Sequence, residues 1–356
     1  MNYLIINDLH LSVQRVGGTT PASAQALRKY GHDQYQRLLN MAQEGDTVIV
    51  NGDLTDIYDA PLADALELYA ATANWLDANP NNRMVWAQGN HDLSRDSRKM
   101  GTVGFVGRLL QSRCPDRFFL IEKPTLLDGE IYVIPHLVNQ ALFDLELSRV
   151  PPQAEYVLLH CNVNNPFAAE AEHSLNLSNG QAQALIERGH TLILGHEHQG
   201  RTLFNGKLIV VGNQFPGSVS DCLSHGDAQS DGTKNLLRIT QVEGPELVQT
   251  WNPDVSQGWY QDVNWRDLDT VRDGQGFVRV SGLAQADEAA AVVRAIAALR
   301  SRSEAFVITN AVRVATTDTG DVEESLESFK SVNVMDWLLE TLDPAEQAVV
   351  RQMLKD

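Results

Sequence analysis

The sequence is short of cysteine, of positive charge and of long apolar runs, and each shortage narrows what the chain can be. Three cysteines in 356 residues (Cys114, Cys161 and Cys222), odd in number and far apart, make neither a disulfide framework nor a thiolate zinc site. They read as reduced, mostly buried thiols. No stretch approaches the roughly 20 apolar residues that span a bilayer, so no membrane association is expected. Residues 2–8 enter a strand pattern at once, without a basic leader or a cleavage site, which predicts a cytoplasmic protein. With 28 Lys and Arg against 46 Asp and Glu, the net charge of -18 opposes the broad basic footprint of a simple nucleic-acid binder. An acidic chain can still hold phosphates where metal ions and a local basic patch reverse the field.

What is present is a series of short apolar runs that end in polar residues. They cover residues 2–8, 47–53, 83–89, 130–136, 155–160, 191–198 and 207–213. Between them lie stretches with helical spacing, one from His32 through Tyr35, Leu38, Leu39 and Ala42, another through Leu62, Leu66, Tyr69, Ala73 and Leu76. This alternation predicts an α/β fold with parallel strand pairs and right-handed crossovers. Ligands of such sheets bind at the carboxyl ends of strands, where the polar endings fall.

Those endings are Asp8-Leu-His10, Gly52-Asp53, Asn90-His91-Asp92, His160 and Gly195-His196-Glu197-His198. Asp8 and His10, two residues apart, share a face if the strand continues through them. Gly195 lets the chain turn so that His196 and His198 can address one point. Collected, Asp8, His10, Asp53, Asn90, His160, His196 and His198 mix oxygen and imidazole donors without thiolate, which suits Mn, Fe or Zn and is too nitrogen-rich for Ca or Mg alone. Seven donors exceed one ion's needs, and two ions sharing a carboxylate is the natural arrangement. Such pairs activate a water and stabilise the leaving oxygen in phosphoester displacement. His91, beside Asn90 but unneeded as a ligand, is free to act as general acid.

Two local basic segments flank these motifs: a predicted loop with Arg15, Arg28 and Lys29, and the stretch with Arg95, Arg98, Lys99 and Arg108. Each is either a solvated surface or a phosphate-contacting lip. Composition shifts between Trp251 and Trp259, which divides the chain into a main domain over 1–250, a linker over 251–275 and a small α+β unit over 276–356. That unit carries Phe277–Val280, a helix with Val292, Val293, Ile296 and Leu299, and Ala305–Ile308, followed by an acidic helix over 322–354 with a stripe of Val334, Trp337, Leu338 and Leu342.

The order Asp-x-His, Gly-Asp, Gly-Asn-His-Asp, His and Gly-His-x-His resembles the calcineurin-like metallophosphoesterase superfamily. The resemblance implies a β-sandwich core flanked by helices, here with a small α+β cap. It implies one metal held by Asp8, His10 and His198, a second by Asn90, His160 and His196, and Asp53 bridging them; His91 matches the family's catalytic histidine. The cofactors would be two divalent ions, Mn2+ foremost, with Fe or Zn as alternatives. Within the superfamily the chain is similar to SbcD-type DNA-repair exonucleases and their phage relatives, on Gly195-His-Glu-His198, Asn213-Gln-Phe-Pro-Gly-Ser218, and the βαβ unit with its terminal helix. Ser328 to Trp337 also resembles the C-terminal region of phage recombination nucleases. This implies an exonuclease, with possible single-strand endonuclease activity, in DNA repair, recombination or phage DNA processing. Its partners would be DNA, an SbcC-like ATPase and possible second copies of itself, in the cytoplasm of a bacterial or phage-infected cell. The rival expectation is a small-molecule phosphodiesterase or phosphatase on the same core. A non-catalytic scaffold is disfavoured by the intact donor set and His91.

Overall fold

The computed structural model describes residues 2–13, 17–94, 96, 98–223, 232–253 and 259–315. In chain order it runs β1 (Tyr3–Ile6), α1 (Pro21–Leu39), β2 (Thr47–Asn51), α2 (Leu62–Ala78), β3 (Arg83–Ala87), α3 (Thr102–Arg113), β4 (Phe118–Ile121), β5 (Thr125–Leu127) and β6 (Ile131–Ile134). Then come α4 (Gln140–Ser148), β7 (Tyr156–His160), β8 (Asn162–Val163), α5 (Pro166–Glu172), β9 (Asn176–Leu177), α6 (Asn179–Glu187) and β10 (Thr191–Gly195). The large unit closes with β11 (Arg201–Leu203), β12 (Leu208–Val210), β13 (Lys234–Thr240) and β14 (Gly244–Trp251).

Two six-stranded sheets result, ordered β14-β13-β1-β2-β3-β4 and β11-β12-β10-β7-β6-β5. The central strands of each are parallel, β1 to β4 in one and β6, β7, β10 and β12 in the other. Their inner faces meet: Ile5, Ile49 and Val85 pack with Val133, Leu158 and Ile193 in one cluster. Alternate residues face outward, where Leu38, Leu68 and Val106 of α1 to α3 cover Val48 and Trp86. Phe143 and Leu185 of α4 and α6 cover Val157 and Leu192 on the second sheet. Strands buried on both faces need apolar residues at every position, which is why they read as continuous runs. The fold is thus the expected sandwich of sheets flanked by helices. Cys161 packs in the outer core of the second sheet, and burial pushes its thiol well above its usual range.

Two local expectations need correction. Helix α1 starts at Pro21 and not near His32, so Arg28 and Lys29 stand on a helix instead of a loop. A capping box starts it: the Ser23 amide donates to Thr20 Oγ1 at 3.2 Å and the Thr20 amide to Ser23 Oγ at 2.7 Å, with Pro21 in the first turn. Strand β1 ends at Ile6, so Asp8 and His10 meet through a turn and not through strand alternation. Both have positive φ, 52° and 44°.

Within 251–275, expected as a linker, Tyr260–Asn264 is a strand (β15) in parallel register with β16 (Phe277–Ser281). β17 (Leu283–Gln285), α7 (Ala289–Arg302), β18 (Val307–Asn310) and β19 (Arg313–Ala315) follow, and β18 completes the order β15-β16-β18. Helix α7 buries Val292, Ile296 and Leu299 and leaves Val293 outward. This unit seats on α1: the Phe306 and Tyr30 rings lie 4.9 Å apart, and the Ile308 amide donates to the Gly18 carbonyl at 3.1 Å. The acidic helix expected over 322–354, with Val334, Trp337, Leu338 and Leu342, lies outside the described residues. Among the described residues no helix is long and apolar enough to cross a membrane.

Candidate metal centre

The carboxyl ends of β1, β2, β3, β7 and β10 converge on one edge of the sandwich. Asp8, Asp53 and His160 are buried there, while His10, Asn90, His196 and His198 are partly open. One group brings ligand atoms of Asp8, His10 and His198 within 4.8 Å of one another, and a second does so for Asp53, His160 and His196. Asn90 Oδ1 lies 3.2 Å from His160 Nε2 and 3.1 Å from His196 Nδ1. Asp53 Oδ2 sits between the groups, 3.1 Å from His160 Nε2 and 3.8 Å from His10 Nε2. All seven residues expected from the sequence therefore meet.

The backbone carries strain to achieve this. Asp8, His10, Asp53 and His196 all have positive φ, a region that residues with a Cβ avoid and that collects at functional sites. Two glycines make room. A Cβ on Gly52, whose φ is +90°, would stand 2.0 Å from His160 Nδ1, and one on Gly89 would stand 2.1 Å from Asp53 Oδ1.

Two of the imidazoles, His160 and His198, are aimed by their other nitrogen. His160 Nδ1 lies 3.0 Å from the Asn51 carbonyl, which accepts its proton and leaves the Nε2 lone pair facing the centre. His198 Nδ1 lies 3.0 Å from Asp221 Oδ1, and its Nε2 comes 3.0 Å from His10 Nε2. Asp221 is fixed by the Gly217 and Ser218 amides at 3.0 and 2.9 Å and the Ser218 hydroxyl at 2.9 Å. Burial opposes its charge, yet His198 and Lys234 hold its carboxyl well below the usual range. Lys234, 2% exposed, donates to the His198 carbonyl at 3.1 Å.

The field favours cations. Burial opposes a proton on His160, but Asp53 and Asp8 outweigh it and carry its pKa up to about 10. His10, likewise desolvated, is raised to about 9 by Asp56, Asp53 and Asp8. Asp53, despite burial, is held far below the carboxylate range by His160 and His10. Imidazole lone pairs converging on carboxylates and an amide oxygen are a donor set for divalent ions of the Mn, Fe or Zn kind, and the residues fit two of them. No thiolate takes part.

His91 is exposed at the rim. Its amide donates to Asp53 Oδ1 at 2.9 Å, its Nδ1 is 2.7 Å from the Asp56 carbonyl, and its ring meets that of His10 edge-on at 4.8 Å. Behind it Asp92, fully buried, accepts from the Gly89 and Thr55 amides at 2.9 Å each and so ties the loops after β2 and β3 together. Burial, with the Asp53 charge, raises its pKa.

A cleft of about 450 Å³ opens over the centre, with Arg28, Tyr30 and Phe215 on its wall. Arg28 is the one other basic residue from the sequence reading that reaches it among the described residues. Lys29 is bound to Asp33 at 2.6 Å, Arg98 to Asp96 at 2.9 Å and Arg108 to Glu122 at 2.9 Å, all on the surface. Lys99 is exposed, and Arg15 and Arg95 lie outside the described residues. The sequence reading missed Asp221, Lys234 and the tying role of Asp92. A carboxylate near the Asn213 to Ser218 stretch was the available signal for the first.

Fold and donor set together define a metal-dependent phosphoester hydrolase. Residues 1–200 match the calcineurin-like phosphoesterase family, and the chain belongs to that family. Among solved structures it is similar to the cold-active protein-tyrosine phosphatase of a psychrophilic Shewanella species, at 8% identity over 70% of this chain and 80% of that one, with a TM-score of 0.33. It is also similar to a protein of unknown function from Aquifex aeolicus, at 12% identity over 50% of this chain and 88% of that one, with a TM-score of 0.26. No curated protein matches the sequence.

Proposed function

We propose that this phosphoester hydrolase is a DNA nuclease, an exonuclease with possible single-strand endonuclease activity, that cuts a phosphodiester held over Asp53. The observation that carries the reading is the position of His91: it is exposed at the rim, within ring contact of His10, so a bulky polymeric phosphodiester can reach it. In this reading Asp8, His10 and His198 hold one ion, Asn90, His160 and His196 the other, and Asp53 lies between, with Mn2+ the first choice. Bound there, the ions supply Lewis-acid polarisation of the phosphoryl group and an activated water.

The chain's own residues do the rest. With its Nδ1 proton given to the Asp56 carbonyl, His91 keeps Nε2 as the atom that carries the mobile proton and delivers it to the leaving oxygen. The hydrogen bond from its backbone amide to Asp53 Oδ1 fixes the residue's place, and the Asp56 carbonyl orients the ring. Arg28 on the wall offers a planar fork to a neighbouring phosphate. DNA, an SbcC-like ATPase and a second copy of the chain are the partners this reading takes, in the cytoplasm of a bacterial or phage-infected cell.

One observation favours a second reading, a small-molecule phosphodiesterase or phosphatase. Among the described residues, Lys29, Arg98 and Arg108 are already paired with carboxylates, in a chain of net charge -18, which weakens the basic segments as a duplex footprint. Incubation with Mn2+ and end-labelled single- and double-stranded DNA, beside a chromogenic phosphodiester, separates the two. DNA cleavage that weakens steeply with salt supports the nuclease. Turnover of the chromogenic ester with intact DNA supports the small-molecule enzyme.

A further inference from the structure

Away from the cleft, between α1 and α2, stands a histidine with nothing to bond to. His32 is 2% exposed, and neither of its ring nitrogens has a hydrogen-bond partner. A neutral imidazole carries one donor and one acceptor, and burying both unmet is costly enough that such groups call for an explanation. Its Nε2 points towards Glu67, 4.0 Å from Oε2 and beyond hydrogen-bond reach. Asp64 and Glu67, three residues apart near the start of α2, share a face of that helix. Asp64 Oδ2 is likewise buried without a partner. Ligand atoms of the three residues all lie within 4.8 Å of one another.

We propose that His32, Asp64 and Glu67 form a third divalent-metal site, structural in role, that clasps α1 to α2. A cation there meets the imidazole lone pair and the stranded Asp64 oxygen together. One imidazole with two carboxylates suits Zn2+ or Mn2+, and the half-exposed Glu67 leaves room for water to complete the coordination. Zinc lies above manganese in the affinity order and is the probe of choice. The clasp bears on the cleft, because α1 supplies Leu27, Arg28, Tyr30 and Gly31 to its wall and His32 is the next residue. The site is independent of the nuclease reading.

The test compares the full-length wild type with the Asp64→Asn/Glu67→Gln double variant. Both are stripped with chelator, dialysed against Zn2+, analysed for zinc per chain, and unfolded thermally with and without the ion. The expected result is one equivalent fewer in the double variant and a smaller zinc-dependent rise in Tm. The same difference of one is expected in an Asp53→Asn background, whatever the catalytic centre retains. If the double variant does not fold, Glu67→Gln alone must weaken that equivalent by at least about tenfold, since a direct ligand is worth no less than a supporting partner. Equal zinc content and equal Tm shifts in wild type and variants would overturn the proposal.

Discussion

His160 and His198 belong to the two donor groups of one centre and are held there by different chemistry. His160 is 1% exposed, sits at the end of a central strand, and gives its Nδ1 proton to a backbone carbonyl. His198 has a side chain 37% exposed, lies beyond the end of β10, and leans on the carboxylate of Asp221, which the loop after β12 presents. The half that holds His160 is therefore anchored at a central strand end, although its Asn90 and His196 are partly open. The other half is assembled by loops and tuned by a charge. The half anchored by the buried, backbone-fixed His160 should release an ion slowly, and the half that relies on the open, carboxylate-supported His198 should exchange it and present it to substrate.

The largest expected effect removes the comparison altogether. Asp53→Asn takes away the carboxylate that lies between the halves, and both ions should be lost together, with activity, as elemental analysis after dialysis will report. Loss of one ion alone would place Asp53 in a single half. Next is His91→Asn, which removes none of the seven donors and keeps the backbone amide that bonds Asp53: metal content should stay at the wild-type level while DNA cleavage slows about 10²–10⁴-fold. A nitrophenyl diester, whose leaving group needs no proton, should lose much less, and equal losses would count against the acid role.

Asp221→Asn probes the open half. Removing a carboxylate behind a ligating imidazole typically costs about 10–100-fold in affinity, so one ion should weaken by that factor while the other holds. The smallest effect belongs to the wall. Arg28→Ala should raise KM for DNA by about tenfold, the worth of one charge-assisted phosphate contact, and reduce the salt slope by about one. An unchanged slope would mean that no phosphate reaches Arg28.

The buried half was legible in the sequence and the open half only in part. Strands covered on both faces must be apolar throughout, so β2, β7 and β10 announced themselves, and their polar endings marked the donors. The start of α1 was hidden because Ala22, Ala24 and Ala26 favour helix without a strong apolar period. β14 was hidden for a related reason: it sits at a sheet edge and buries only Trp251. Asp221 and Lys234 act on His198 across 23 and 36 positions, a proximity that only tertiary folding creates. In the basic segments composition shows the charges but not their pairing: Asp33 stands one helical turn from Lys29 and Asp96 two residues from Arg98.

The most direct test of the two-halves account is the time course of metal release. Protein carrying Glu67→Gln, to silence the proposed site between α1 and α2, is loaded with two equivalents of Mn2+ and mixed with excess chelator, and bound ion is followed by paramagnetic resonance with and without Asp221→Asn. Two phases of equal amplitude are expected, with the substitution speeding only the fast one. A single phase, or an equal acceleration of both, would contradict it.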